Sequence, residues 1–263
     1  MSDLNEQFDP LEGFSASNMP TLLGAALDYP AGTVVDWHKH FAAQLVFAEF
    51  GVMRLRTQTQ FVLLPPSMAL WVPPDTRHRI VLQEQAAMRT IYVRPDALGL
   101  DNERCKTLNV SPLLRELILE ASVISSPKLY ETPRIHALVH LLMEELLRSR
   151  EMPLTLPMPT DSRIVPMANA AMASLTDIDS IAAWSATAPA SRKTVERLFK
   201  QETGLTPKLW LRQARLMAAI AALSVGSSVT KVAHDLGYST SSSFAYMFRR
   251  ALGVPPTEFR KKR

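Results

Sequence analysis

Among the 263 residues there is a single cysteine, Cys105. No disulfide can close within the chain, and nothing in it calls for an oxidising compartment. No apolar run approaches the roughly 20 residues that would span a bilayer. The opening Met1-Ser2-Asp3-Leu4-Asn5-Glu6 is polar and acidic, unlike a secretory leader. These absences lead us to expect a cytoplasmic protein with no membrane partner. No catalytic constellation stands out either, so the expectation is a protein that is not an enzyme. The length suits two domains, each able to bury its own core.

Net charge is modest, +4, but its distribution is uneven. Residues 161–263 carry 15 Lys+Arg against 7 Asp+Glu, whereas residues 1–160 carry 14 against 18. A basic half beside an acidic half points to a polyanionic partner for the C-terminal half alone.

An internal repeat lies in that basic half. Val195-Glu196-Arg197-Leu198-Phe199 leads into Gly204 and Pro207, and 49 positions on Phe244-Ala245-Tyr246-Met247-Phe248 leads into Gly253 and Pro256. Each copy reads as a capped amphipathic helix with a glycine stop, the outline of a helix-turn-helix whose second helix suits a DNA groove. In the first unit Ser191 caps a helix exposing Arg192, Lys193, Glu196, Arg197 and Lys200. In the second, Ala233 and Gly237 permit a tight turn, and Ser239 or Thr240 caps a helix over Ser241–Ala251. Its outer face offers Ser241, Ser242, Ser243 and Tyr246, with Arg249 and Arg250 placed for phosphate. Lys208–Leu223 reads as a long connecting helix with Leu209, Leu216, Ile220 and Leu223 on one side.

The N-terminal half reads differently. Between Thr21 and Val93, short apolar runs alternate with turn residues, as in a small barrel or sandwich. Ser111-Pro112 and Thr132-Pro133 each open an amphipathic helix, suited to covering the barrel, joining domains or forming a homodimer. The proline-rich run Glu151–Pro159 reads as an extended linker. The fold class expected is α+β: a β-barrel domain over 1–95, a helical dimerisation segment and linker over 96–160, and an all-α tandem helix-turn-helix over 161–263.

Residues 163–260 resemble the DNA-binding domain of the AraC/XylS family of bacterial transcription regulators. The resemblance rests on Ala233-x3-Gly237-Tyr238-Ser239-x4-Phe244-x3-Phe248-Arg249-Arg250-x2-Gly253-x2-Pro256-x2-Phe259-Arg260 and, in the first unit, on Thr194, Arg197-Leu198-Phe199 and Glu202-Thr203-Gly204-Leu205-x-Pro207. It implies base contacts from Lys193, Glu196 and Arg197, and from Ser242, Ser243 and Tyr246. Two departures stand out. Pro189 replaces the usual glycine of the first turn, so Ala186–Ala190 must turn by another route. Tyr246 stands where arginine is common, which shifts weight to phosphate contacts and DNA shape.

The N-terminal half resembles the small barrel called cupin, through Gly32-x5-His38-x-His40-x3-Gln44-x6-Gly51 and Pro73-x4-His78. Strand alternation would put His38 and His40 on one face. Gln44 replaces the usual acidic ligand, and His38, His40, His78 and Gln44 could bind a divalent metal, more weakly than with a carboxylate. Scaffold histidines without metal are the alternative. Trp37, Phe41, Phe47, Trp71 and Tyr92 are either barrel core or the wall of an effector pocket. His136, His140 and His234 are assigned no role. The leading reading is a regulator binding double-stranded promoter DNA and a small-molecule effector. A metal-dependent cupin enzyme fused to a DNA-binding domain and an architectural DNA-binding protein are the alternatives.

Overall fold

The computed structural model describes residues 10–66, 68–97, 104–125, 132–173, 175 and 190–261. The chain divides into two compact units. One runs to Thr57 and from Leu64 to Met152; the other holds Gln58–Leu63 and everything from Pro153 on.

Among the described residues the first unit is antiparallel β with two helices. Its strands are β1 (Leu22–Tyr29), β2 (Val34–His38), β3 (Ala43–Phe50), β4 (Met53–Thr57), β6 (Met68–Val72), β7 (His78–Leu82), β8 (Ala86–Val93), β9 (Lys106–Asn109) and β10 (Glu151–Met152), with β5 (Gln60–Leu64) between β4 and β6 in the chain. One sheet has the order β1-β8-β3-β6-β9-β10. In a second sheet β7 lies between β2 and β4, with His38 opposite His78. Strand β9 escapes the sequence pattern, because Lys106-Thr107-Leu108-Asn109 is too short and polar to announce itself.

Helices α1 (Pro112–Ser122) and α2 (Pro133–Arg148) start where the Ser-Pro and Thr-Pro pairs predict. Ser111 and Thr132 accept hydrogen bonds from the Leu114 and Ile135 backbone N–H groups, and each proline occupies the first turn, where no N–H is needed. Leu114, Leu117, Ile118, Ala121, Leu142 and Leu146 pack on Leu45, Phe47, Trp71, Ile91 and Val93 of the larger sheet. Edge strand β1 is covered rather than left open: the Gly24 N–H donates to Ile124 O at 2.7 Å. A Cβ at Gly24 would lie 2.0 Å from Ala121 O, so only glycine allows this approach.

In the second unit β11 (Thr155–Pro157) pairs with β5, Leu156 opposite Phe61. The run 151–159 is therefore extended, as expected, but it is not a free linker. Trp210 Nε1 donates to Pro157 O at 2.6 Å and Gln213 Nε2 to Pro153 O at 2.8 Å. Among the described residues the helices are α3 (Val165–Ala173), α4 (Arg192–Thr203), α5 (Pro207–Ser224), α6 (Val229–Asp235), α7 (Ser241–Leu252) and α8 (Pro256–Lys261). Helix α5 is the spine, burying Trp210, Leu211, Ala214, Leu216, Met217, Ile220 and Leu223. Leu209, expected on its buried side, is instead 47% exposed; the helix turns Trp210 inward in its place, edge-on to Phe199. Phe244, Phe248 and Phe259 form a second aromatic chain.

Candidate nucleic-acid interface and ligand site

Helices α4 and α7 are built alike. Ser191 and Thr240 hold extended backbone and accept from the Thr194 and Ser243 backbone N–H groups. Of the two caps expected for the second helix, Thr240 is the one used. Gly204 at φ 72° and Gly253 at φ 79° end the helices in the left-handed region, where a side chain is disfavoured. Val195, Leu198 and Phe199 on α4, and Phe244, Met247 and Phe248 on α7, are buried. The opposite faces are therefore fixed toward solvent.

On α4 that face carries Arg192, Lys193, Glu196, Arg197 and Lys200, all exposed. Four of them already have partners on the helix or at its end. Arg192 Nε lies 3.0 Å from Glu196 Oε1, Arg197 Nη1 donates to Gln201 Oε1 at 3.3 Å, and Lys200 Nζ donates to Gly204 O at 2.6 Å. Lys200 thus completes its own helix end. On α7, Ser242, Ser243, Tyr246, Arg249 and Arg250 are exposed and Ser241 is half-buried. Tyr246 is 70% exposed, unusual for an aromatic side chain without a partner surface. Ser243 Oγ donates to Thr240 O at 2.8 Å and keeps its lone pairs outward.

The turn before α7 follows the sequence: Gly237 takes φ 74° and Tyr238 N–H donates to Ala233 O at 2.9 Å. The corresponding turn of the first unit, Ala186–Pro189, lies outside the described residues. Sequence reasoning gave Glu202 a place in the first-unit motif but no role. Its carboxylate accepts from Thr160 N at 2.7 Å and Asp161 N at 3.0 Å, tying α4 to the segment before α3. Asp161 also sits beside Arg163, whose hydrogen bond pulls its carboxyl down to about 2.

The three histidines do converge. Ring centroids are 4.2 Å apart for His38 and His78, 5.3 Å for His40 and His78, and 6.1 Å for His38 and His40. One ring nitrogen from each lies within 4.8 Å of the others. Alternation along one strand is not what joins them, which corrects the sequence expectation. Strand β2 shifts register after Val35 and ends at His38, and His40 follows in a loop held by Asp75 N–H, which donates to its carbonyl at 2.8 Å. Asp75 takes φ 55° in the turn after Pro73-Pro74.

Tautomers follow from the partners. Each Nδ1 faces a backbone carbonyl two residues away: Asp36 at 2.7 Å for His38, Ala42 at 2.7 Å for His40 and Thr76 at 2.8 Å for His78. A carbonyl only accepts, so each Nδ1 carries a proton, and in the neutral form of the ring it is Nε2 that offers a lone pair. His78 is fully buried, and its Nε2 has no hydrogen-bond partner. Burial lowers its pKa to about 3; the Thr76 bond opposes this, and the neighbouring His38 and His40 add to it.

Gln44, 1% exposed, completes the set. Its Nε2 donates to Thr90 Oγ1 at 2.9 Å and Tyr92 Oη at 3.2 Å, while Thr90 passes its own proton to Leu45 O at 3.0 Å. The amide is thereby oriented with Oε1 toward His40 Nε2, 3.1 Å away. In this orientation Oε1 and the Nε2 lone pair of His40 face one another, an arrangement that a cation between them would satisfy. An orphaned buried nitrogen and a pre-oriented amide oxygen fit a divalent metal, whose nitrogen ligands bind at about 2.0–2.1 Å after modest ring shifts. Thr90 was invisible to sequence reasoning, because a threonine in a strand is ordinary.

The aromatic set separates. Tyr92 stands edge-on to His40, centroids 5.1 Å apart, and Phe41 packs with Leu11, Met19 and Tyr92. Trp37 is half-buried under Arg77, 5.8 Å from its ring. Phe47 and Trp71 lie on the opposite face of the larger sheet, in the core beneath α1 and α2. Of the two places open to them, core or pocket wall, these two take the core: pleating turns Phe47 away from the side that Gln44 occupies. A cavity of about 390 Å³ instead adjoins His40 and Phe41, bordered also by Leu11, Phe14, Lys39 and Asp75.

No described helix is long and apolar enough to cross a membrane. The AraC-like ligand binding domain family matches residues 20–154, and a helix-turn-helix domain family matches residues 184–262. The HTH-type transcriptional regulator NimR of Escherichia coli (strain K12) is 29% identical over 222 residues, covering 84% of this chain and 81% of NimR. The HTH-type transcriptional activator RhaS of Escherichia coli O157:H7 is 40% identical over 74 residues, 28% of this chain and 27% of RhaS. Among solved structures, ToxT from Vibrio cholerae with unsaturated fatty acid bound aligns over 91% of this chain and 94% of its own, at 12% identity and a TM-score of 0.38. With a ligand-binding half and a helix-turn-helix half both matched, the chain belongs to the AraC family of transcription regulators.

Proposed function

We propose that the protein binds promoter DNA as a homodimer through both reading helices of each chain and answers to an effector held in its N-terminal half. The observation that carries this reading is the repeated construction of α4 and α7, each capped, glycine-stopped and turned with its polar face outward. Lys193, Glu196 and Arg197 on α4, and Ser242, Ser243 and Tyr246 on α7, are the base-reading candidates. Arg192, Lys200, Ser241, Arg249 and Arg250 serve the phosphates. Glu196 and Arg197 must exchange their intrahelical partners for bases, which favours sites rich enough in contacts to offset the exchange.

Exposed Leu141 and Leu147 on α2 and Leu113 on α1 support those helices as the dimer surface. In the barrel, His38, His40, His78 and Gln44 hold a divalent metal, and the cavity at Phe41 and His40 gives access to it. Bound there, the ion supplies positive charge and Lewis acidity between acceptors that otherwise face one another.

Full-length protein should select a discrete set of genomic fragments at near-physiological salt. Its affinity for them should fall steeply as salt rises, because several Lys and Arg displace counterions. Binding that is equal on selected and random duplex would refute sequence-specific regulation. A monomer by sedimentation at micromolar concentration would refute the dimer.

A further inference from the structure

We propose that the metal ion is itself the effector, and that Gln44 is the positioning residue that reports its occupancy to the rest of the N-terminal unit. This rests on the reading of His38, His40, His78 and Gln44 as a metal site. Three observations carry the step from site to sensor.

The first is the chemistry of the donors. Three neutral imidazoles and an amide oxygen bring no negative charge, so an ion is held by coordination alone and exchanges more readily than it would with a carboxylate in place of Gln44. Nitrogen-rich donors favour late first-row divalent ions over magnesium or calcium. Such a site suits reading a changing concentration of cobalt, nickel or zinc better than holding a permanent cofactor.

The second is access. His78 is sealed in the interior, but His38 and His40 are only half-buried, and His40 borders the 390 Å³ cavity. Ions can enter and leave on that side.

The third is the wiring of Gln44. One end of its amide faces the histidines and the other is fastened to β8 through Thr90 and Tyr92. Tyr92 in turn packs against Leu11 and Met19 of the N-terminal segment. Strand β8 pairs along its length with β1, whose Gly24 holds the end of α1. Drawing Oε1 toward an ion must therefore move or tighten groups that bear on both the N-terminal segment and the α1 edge. His38 and His78 are anchored locally, each Nδ1 donating to a carbonyl two residues away.

The test uses full-length protein stripped with a chelator and reloaded with Co²⁺, Ni²⁺ or Zn²⁺ as the only additions. Metal uptake is read by cobalt absorption and calorimetry, and DNA affinity by anisotropy on a selected genomic fragment. The proposal expects metal alone to shift DNA affinity by about fivefold or more, and DNA to shift metal affinity by the same factor. Gln44→Met, which keeps the three imidazoles and the side-chain length, should still take up metal, more weakly, while its DNA affinity stops responding at saturating metal. Tyr92→Phe should keep metal affinity and blunt the response. Because a change at position 44 can disturb folding, Tyr92→Phe carries the question independently. Metal bound without any change in DNA affinity overturns the sensor and leaves the metal site standing. A full response in both variants overturns the role of Gln44. No uptake of any of the three ions by the wild type overturns the site and the sensor together.

Discussion

Three glycines of the N-terminal unit separate two reasons for needing glycine, and substituting each by alanine should give three different losses. Gly32 has φ +82° and open space within 4 Å of where a Cβ would lie, so Gly32→Ala meets only backbone conformation. Left-handed backbone costs about 1–2 kcal/mol for an L-residue, and alanine returns about 0.4–1 kcal/mol by restricting the unfolded chain, leaving a loss near 1 kcal/mol. Gly24 is the converse. It lies in β1 without positive φ, but its Cβ would sit 2.0 Å from Ala121 O and 2.6–2.7 Å from Ser122 backbone atoms. Backbone cannot swing aside as a long side chain can. Overpacking of about 1–3 kcal/mol, plus about 1 kcal/mol for a weakened Gly24–Ile124 hydrogen bond, less the same return of about 0.4–1 kcal/mol from alanine, centres the net loss at about 2–3 kcal/mol. Gly51 combines both penalties, with φ +78° and Gln85 O 2.5 Å from its Cβ, and should lose most. Hydrogen exchange on the full-length protein reads this locally. Protection over Leu22–Tyr29 and Pro112–Ser122 should fall about 30–100-fold in Gly24→Ala, at tenfold per 1.4 kcal/mol. Protection over Arg192–Thr203 should hold. If Gly24→Ala loses no more than Gly32→Ala, α1 can retreat from β1 cheaply, and the tight junction at Gly24 is not what secures it.

On the DNA side, Arg197→Ala should cost about 1–3 kcal/mol on a selected site and relax its sequence preference, whereas Arg249→Ala should weaken all duplexes alike. Equal losses on selected and random DNA for Arg197→Ala would move that residue to the phosphate class. Thr240→Ala removes the cap of α7 and should cost about 1 kcal/mol in stability, with Thr240→Ser restoring it. An unchanged melting temperature in Thr240→Ala would mean that packing alone sets that helix start. Gln44→Glu should bind metal more tightly than wild type by adding a charged oxygen, yet be less stable without it, since an unpaired buried carboxylate is unfavourable. A metal-free variant as stable as wild type, or one with no gain in metal affinity, would show that position 44 does not face the ion.

Much of the fold was legible because its signals are local. Ser111, Thr132, Ser191 and Thr240 act on N–H groups three residues away, and Gly204, Gly237 and Gly253 take left-handed backbone that few other residues tolerate. The repeat itself was visible because both copies bury the same helical stripe. What failed depends on which side of an element is covered. Strand β6 is buried at all five positions, so no alternation of polar and apolar residues marks its two faces, and Trp71 could not be assigned to cavity or outer core. The same ambiguity left Phe47 open on β3, which is buried from Ala43 through Ala48. Leu209 was misread because a helix buried over most of its circumference offers several apolar stripes, and packing against Pro157 and Phe199 chose the one through Trp210.

The histidine cluster shows where a motif stops and geometry takes over. Spacing named His38, His40, Gln44 and His78, but spacing alone treats Gln44 as a weakened copy of a carboxylate. The fold gives it a different character. A carboxylate has only acceptors, and in its place the amide can donate to Thr90 and Tyr92 while still offering an oxygen to the histidines. Thr90 spends its proton on Leu45 O, so the Thr90 oxygen needs a donor at that point. A glutamate would leave this need unmet, and glutamine meets it. The residue that reduces the charge of the site is thus the one that links the site mechanically to β8. In the metal switch proposed above, neutral donors would let the ion leave and the link to β8 would make its departure felt elsewhere.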